Sequence, residues 1–204
     1  MYSKKKDVSS SKFWNNKYIN NEHGWDIGFP TPIFKNWSLE FNHPNNINIC
    51  IPGCGYGHDA IYLSENGFNV YAFDFSHKAI DHINKKANNN LKAECIDFFH
   101  LDDTYNDFFD YILEYTFYCA IDPQRRNNYI NKCHQILKDK GKIIAIMLPV
   151  GDVEKENNQP PFPVSYLELK KKFSKKFNVL EIKKSNQSIE ARKDIEFYAE
   201  YEKK

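Results

Sequence analysis

A chain of 204 residues is long enough for one substantial core, and 41% hydrophobic with 16% aromatic residues lets that core form without disulfides or a structural metal. With 28 basic against 27 acidic residues the net charge is +1, which argues against nucleic acid or a membrane surface as the main partner. Five cysteines, odd in number and lacking a Cys-x-x-Cys pair, suit reduced thiols in a cytoplasmic protein better than a disulfide framework.

The N-terminus is polar and has no signal-type apolar segment. No run approaches the ~18 apolar residues of a membrane span. A soluble, single domain over 1–204 is expected, with a monomer as the default. The basic runs at 4–6 and 170–172 read as solvated faces.

Past the first dozen residues, strand-like and helix-like patterns alternate. Residues 48–51 form a short apolar run ending at Pro52. A helix is expected over 58–65, with Ala60, Ile61 and Leu63 toward the core and Gly67 closing it. A second strand covers 70–73 and stops at Asp74. Ser76 is placed to cap the next helix, where Ala79, Ile80, Ile83 and Ala87 share a face.

Residues 91–96 read as a third strand and 108–113 as a fourth. Asp122 then caps a helix that Pro123 begins, and Tyr129, Ile130, Cys133, Ile136 and Leu137 keep helical spacing. Gly141 is expected to end that helix before the very apolar strand 142–148. After a long loop, 149–164, Ser165 and Glu168 form a capping box. Two β-rich runs follow, 177–182 and 195–201. Alternation of this kind predicts an α/β, doubly wound, mostly parallel sheet of seven strands, with the last two as an antiparallel edge hairpin.

Two readings compete for residues 50–59, CIPGCGYGHD. Cys50, Cys54 and His58 recur every four residues, as soft metal ligands might on a helix. Pro52 and the glycines forbid one continuous helix there, so the three cannot converge and no metal site is expected. Cys50 reads instead as a core residue. The alternating Gly53, Gly55 and Gly57 follow a strand and open a helix, where a ligand can approach main chain. Asp74 lies about 20 residues after Gly53, the offset of a carboxylate that accepts from ribose hydroxyls. A dinucleotide loop would place a glycine where His58 stands, so an adenosyl cofactor without pyrophosphate is favoured.

Several segments together resemble the thiopurine S-methyltransferase family, including its halide and thiol methyltransferase branch. They are Phe13-Trp14 with 24–32 (GWDIGFPTP), 51–60 (IPGCGYGHDA), 109–123 (FDYILEYTFYCAIDP) continuing to Arg126, and 160–162 (PPF). The family's Gly-Pro-Pro loop has Gln159 in place of its glycine here.

The resemblance implies a Rossmann-like fold and S-adenosyl-L-methionine as cofactor. It implies that residues 1–40 form a lid, with Trp14 and Trp25 closing over the cofactor. Gly53 would meet its methionyl part, Asp74 the ribose, and Asp97 and Phe98 the adenine. Tyr115 would lie near the transferred methyl, and Arg126 would reach the site. Tyr118 and Phe162, with Tyr115, are the candidates for lining the acceptor. The implied acceptor is a small thiol, with a halide or thiocyanate, a thiopurine or a metalloid oxyanion as alternatives. A catalytically silent cofactor binder or a nicotinamide oxidoreductase stays open.

Methyl transfer from a sulfonium needs positioning more than acid–base help, because the activated carbon arrives with the cofactor. Glu114, Tyr115 and Asp26 are the available bases, and none is expected to be indispensable.

Overall fold

The computed structural model describes residues 7–86, 88–151 and 159–204. The basic run at 4–6, Ala87 and the middle of the 149–164 loop therefore lie outside the described residues. The strands are Asn48–Pro52 (β1), Asn69–Asp74 (β2), Leu91–Cys95 (β3), Phe109–Tyr115 (β4), Leu137–Met147 (β5), Phe177–Lys184 (β6) and Phe197–Lys203 (β7). The helices are Ser11–Ile19 (α1), Pro32–Ser38 (α2), His58–Glu65 (α3), His77–Asn84 (α4), Arg126–Ile136 (α5) and Tyr166–Phe173 (α6).

The strands form one sheet in the order β3-β2-β1-β4-β5-β7-β6. The first five strands run parallel, and β7 lies antiparallel between β5 and β6. Both faces are covered, which is why the central strands are apolar almost throughout. On one face α2, α3 and α4 supply Phe34, Trp37, Leu63, Ile80 and Ile83; on the other α5 and α6 supply Tyr129, Cys133, Leu169 and Phe173. Within β1, Cys50 faces the second layer while Ile49 and Ile51 face the first, as the two-residue period of a strand requires. From β1 the chain winds outward to β3 and then returns to β4 on the other side. That reversal opens a crevice beyond the C-terminal strand ends.

Four local expectations are corrected. The helix before β5 ends at Ile136, and β5 starts at once at Leu137, so Gly141 lies inside a strand. Phe109 pairs with Leu137 but Tyr111 with Lys142, so β5 carries extra residues as a bulge. A Cβ on Gly141 would stand 2.9 Å from the Lys138 carbonyl oxygen, and that close approach explains the glycine. Asp122 does cap, accepting from Gln124 N at 2.9 Å, but it caps the 3₁₀ turn Pro123–Arg125 that precedes α5. Ser76 occupies the cap position of α4, yet its hydroxyl donates to Asn15 Oδ1 at 2.7 Å and so ties α1 to the sheet. Only half of the capping box forms: Ser165 accepts from Glu168 N, while the Glu168 carboxylate turns to Arg126. Among the described residues no helix is long and apolar enough to cross a membrane.

Candidate active site

A cavity of about 520 Å³ opens beyond the C-terminal ends of β1, β2, β3 and β4, within the usual range for small-molecule sites. Gly53, Asp74, Asp97 and Phe98 line it from the strand ends. Trp14 and Trp25 line it from the N-terminal segment. Six of the residues singled out in the sequence thus share one wall system.

The glycine loop is built from left-handed backbone, with φ of 57°, 55° and 72° at Gly53, Gly55 and Gly57. At Gly53 a side chain is also excluded by contact: a Cβ there would fall 2.2 Å from Cδ2 of Phe117. Asp74 accepts from Gly55 N at 3.1 Å on one carboxylate oxygen and from Ser76 N at 2.8 Å on the other. Each oxygen keeps further acceptor capacity, and the residue lines the cavity. Burial pushes its carboxyl up to about 6, and the two N–H donors oppose that rise. Asp97 accepts from Phe99 N at 3.0 Å and lies 3.5 Å from Arg125 Nη2.

The N-terminal segment covers the cavity through aromatic contacts and polar ties. Trp14 meets Trp25 edge-on at 5.4 Å between centroids, and Tyr18 meets Trp25 at 5.5 Å. Trp14 Nε1 donates to the Val8 carbonyl at 2.8 Å. Thr31 donates from N and Oγ1 to Asp59 at 2.6 and 2.9 Å. Arg192 donates to the Trp25 carbonyl at 2.6 Å.

The remaining candidates lie elsewhere. Tyr115 borders a smaller neighbouring recess; its hydroxyl donates to Glu196 Oε1 at 2.7 Å and accepts from Arg192. Tyr118 and Phe162 are buried in the layer below, and Phe162 N donates to the Cys119 carbonyl at 2.7 Å. Arg126 is buried as well. Its guanidinium donates to the Phe162 and Pro163 carbonyls and to both Glu168 oxygens, so it fastens the 160–163 segment to α6. Its neighbour Arg125 lines the cavity instead, with its guanidinium 3.8 Å above the Phe99 ring.

Arg126→Ala would leave Glu168 without its buried partner. The expected loss is about 3 kcal/mol in urea unfolding, with cofactor affinity within a few-fold of the parent by calorimetry. A large loss of affinity at unchanged stability would return Arg126 to the site.

Other lining residues have no signal in the sequence. Arg192 comes from the 3₁₀ turn Glu190–Arg192 and meets Trp25 across 167 residues of chain. Tyr18 also lines the cavity and read alone is an ordinary core residue, whereas Phe117 and Cys119, which line it too, fall inside the 109–123 motif. Burial, with the nearby Glu114 charge, pushes the Cys119 thiol up to about 12, so it stays protonated. The metal reading of Cys50, Cys54 and His58 finds no support, since no group of three or more His, Cys, Asp or Glu among the described residues is placed to hold an ion.

A family model described as thiopurine S-methyltransferase matches residues 9–200. A probable thiol methyltransferase 2 of Arabidopsis thaliana is 29% identical over 168 residues, covering 80% of this chain and 72% of that protein. Thiocyanate methyltransferase 1 of the same plant is 30% identical over 144 residues, covering 69% and 61%. In fold, the chain resembles the crystal structure of 1,6-didemethyltoxoflavin-N1-methyltransferase from Burkholderia thailandensis, with a TM-score of 0.70 at 13% identity, over 96% of this chain and 87% of that one. The match at 9–200 takes in most of the N-terminal segment, the glycine loop and nearly all of the sheet, and on that extent the chain belongs to the thiopurine S-methyltransferase family of S-adenosylmethionine-dependent enzymes.

Proposed function

We propose that this protein methylates a small thiol, such as sulfide or methanethiol, with S-adenosylmethionine as donor. The crevice residues fit that cofactor. Asp74 has spare acceptor capacity for the ribose hydroxyls, Asp97 and Phe98 stand beside it for the adenine, and Gly53 leaves main chain exposed for the methionyl end. Trp14 and Trp25 lie over the same cavity. When bound, the cofactor supplies an electrophilic methyl carbon: the acceptor's sulfur lone pair forms the new bond while the sulfonium keeps the pair of the old one.

The observation that carries the choice of acceptor is the chemistry at the β4–β5 end of the cavity. Thr116, Phe117, Cys119, Leu148, Pro160 and Pro161 line it, a largely apolar surface suited to a soft nucleophile. Among the described residues, none of the candidate bases Glu114, Asp26 and Tyr115 lines the cavity. Glu114 lies buried beneath, accepting from Phe117 N, Tyr118 N and the Tyr129 hydroxyl. Asp26 pairs with His58 Nε2 at 2.9 Å. The Tyr115 hydroxyl is held by Glu196 and Arg192. A thiol with a pKa near ~8.5 supplies its own thiolate, losing its proton to water.

Headspace analysis of volatile products, with sulfide, methanethiol, iodide and thiocyanate offered separately, tests this reading. The expected result is a kcat/KM at least about tenfold higher for a thiol, a difference near 1.4 kcal/mol in transition-state stabilisation. A preference for iodide or thiocyanate would move the protein to the halide reading. Cofactor binding without any methylated product would mark a silent binder.

A further inference from the structure

The loop after β4 is held in a conformation that its sequence does not favour. Thr116 has φ of 66°, a left-handed backbone that a β-branched residue adopts only where its surroundings enforce it. Glu114 supplies the enforcement. Buried beneath the loop, one of its oxygens accepts from Phe117 N at 3.0 Å and from Tyr118 N at 2.8 Å. The Phe117 carbonyl then accepts from Ala120 N and Ile121 N, closing the turn on its other side. The result is the placement of one ring: Phe117 lines the cavity and presses on Gly53 so closely that no Cβ fits between them.

Sheet order gives this contact a direction. Asp97 follows β3 and Asp74 ends β2, so the adenosine half of a bound cofactor belongs at that side. The next strands across are β1, which leads into Gly53, and β4, which leads into Phe117. We propose that Phe117 is the wall against which the sulfonium and methionyl end is seated, and that Glu114 and the left-handed Thr116 form a device that positions it. The inference rests on the cofactor assignment above, and an aromatic face beside a sulfonium would also stabilise its charge.

Calorimetry with S-adenosylhomocysteine, and with adenosine, which lacks the homocysteine half, tests the placement. In Phe117→Ala, S-adenosylhomocysteine should bind about tenfold or more weakly, while adenosine, which the ring reaches only through its contact with Phe98 at 5.7 Å between centroids, should lose about threefold or less. Thr116→Gly keeps the ring but frees the turn, and should show the same selective loss at smaller size, about threefold or more. Equal losses for both ligands, or no loss for either, would overturn the proposal. A parent protein that binds neither ligand would instead overturn the cofactor assignment.

Discussion

Replacing Gly53 with alanine is expected to lower stability by about 2–4 kcal/mol and to weaken cofactor binding by about a hundredfold or more. Two independent causes add. An alanine at φ of 57° adopts left-handed backbone at a cost of roughly 1 kcal/mol. Its Cβ would also enter the Phe117 ring, where Cδ2 at 2.2 Å and Cγ at 2.9 Å leave no room. Cγ is the root of the ring, so the side chain cannot yield by bending its tip. Overpacking of this kind costs about 1–3 kcal/mol. Urea unfolding and calorimetry measure the two effects. The double variant Gly53→Ala/Phe117→Ala separates the causes: the steric part should vanish and the backbone part remain. A single variant with parental unfolding and affinity would show that the loop tolerates a side chain there.

Glu114 carries the second large effect, and it shows in pH. Burial pushes its carboxyl up to about 7, against the lowering effect of its three donors. Asp59 and Asp74 are each raised to about 6, in both cases by burial first. A carboxyl raised in the fold holds its proton more tightly there than in the unfolded chain. Its contribution to stability is therefore present at low pH and is lost as pH climbs from the unfolded value toward the folded one. The unfolding free energy should fall between about pH 4.5 and pH 7, with Glu114 contributing about 3 kcal/mol of the change.

Glu114→Gln should remove that share of the slope while keeping an acceptor for Phe117 N and Tyr118 N, and should retain turnover. Glu114→Ala leaves two buried N–H groups unpaired and should cost about 2–4 kcal/mol, together with the selective loss expected of Phe117→Ala. Unfolding curves across about pH 4 to 8 decide this. An unchanged slope in Glu114→Gln would mean that the carboxyl does not titrate in that range, and abolished turnover with intact binding would make it a catalytic base.

The order of elements was legible because each element's signal is local. β1, α3, β2 and α4 are bounded by Pro52, Gly67, Asp74 and Ser76, and their apolar spacing matches the faces they bury. The β5 boundary was misread because Gly141 has the same appearance after a helix as inside a bulge. Which it is depends on Phe109 and Leu137 pairing across the sheet. The strand-end wall of the cavity was legible in part for a similar reason: Gly53 and Asp74 sit at strand ends, which are sequence features, whereas Asp97 follows from the family resemblance.

The acceptor half was not. Tyr115 and Arg126 were drawn from motif positions, yet Tyr115 leans toward Glu196 and Arg192, and Arg126 is occupied with the 160–163 segment and Glu168. Arg125, one residue earlier, reaches the cavity because the turn Pro123–Arg125 ends there before α5 begins. Sequence alone therefore determined the doubly wound sheet, its glycine loop and Asp74 at the end of β2, since these follow from periodicity and strand ends. Tertiary structure alone decided that Arg192 meets Trp25, that Phe117 meets Gly53 and that Glu114 faces inward. These are contacts between side chains brought together from distant strands and loops, and no local spacing encodes them.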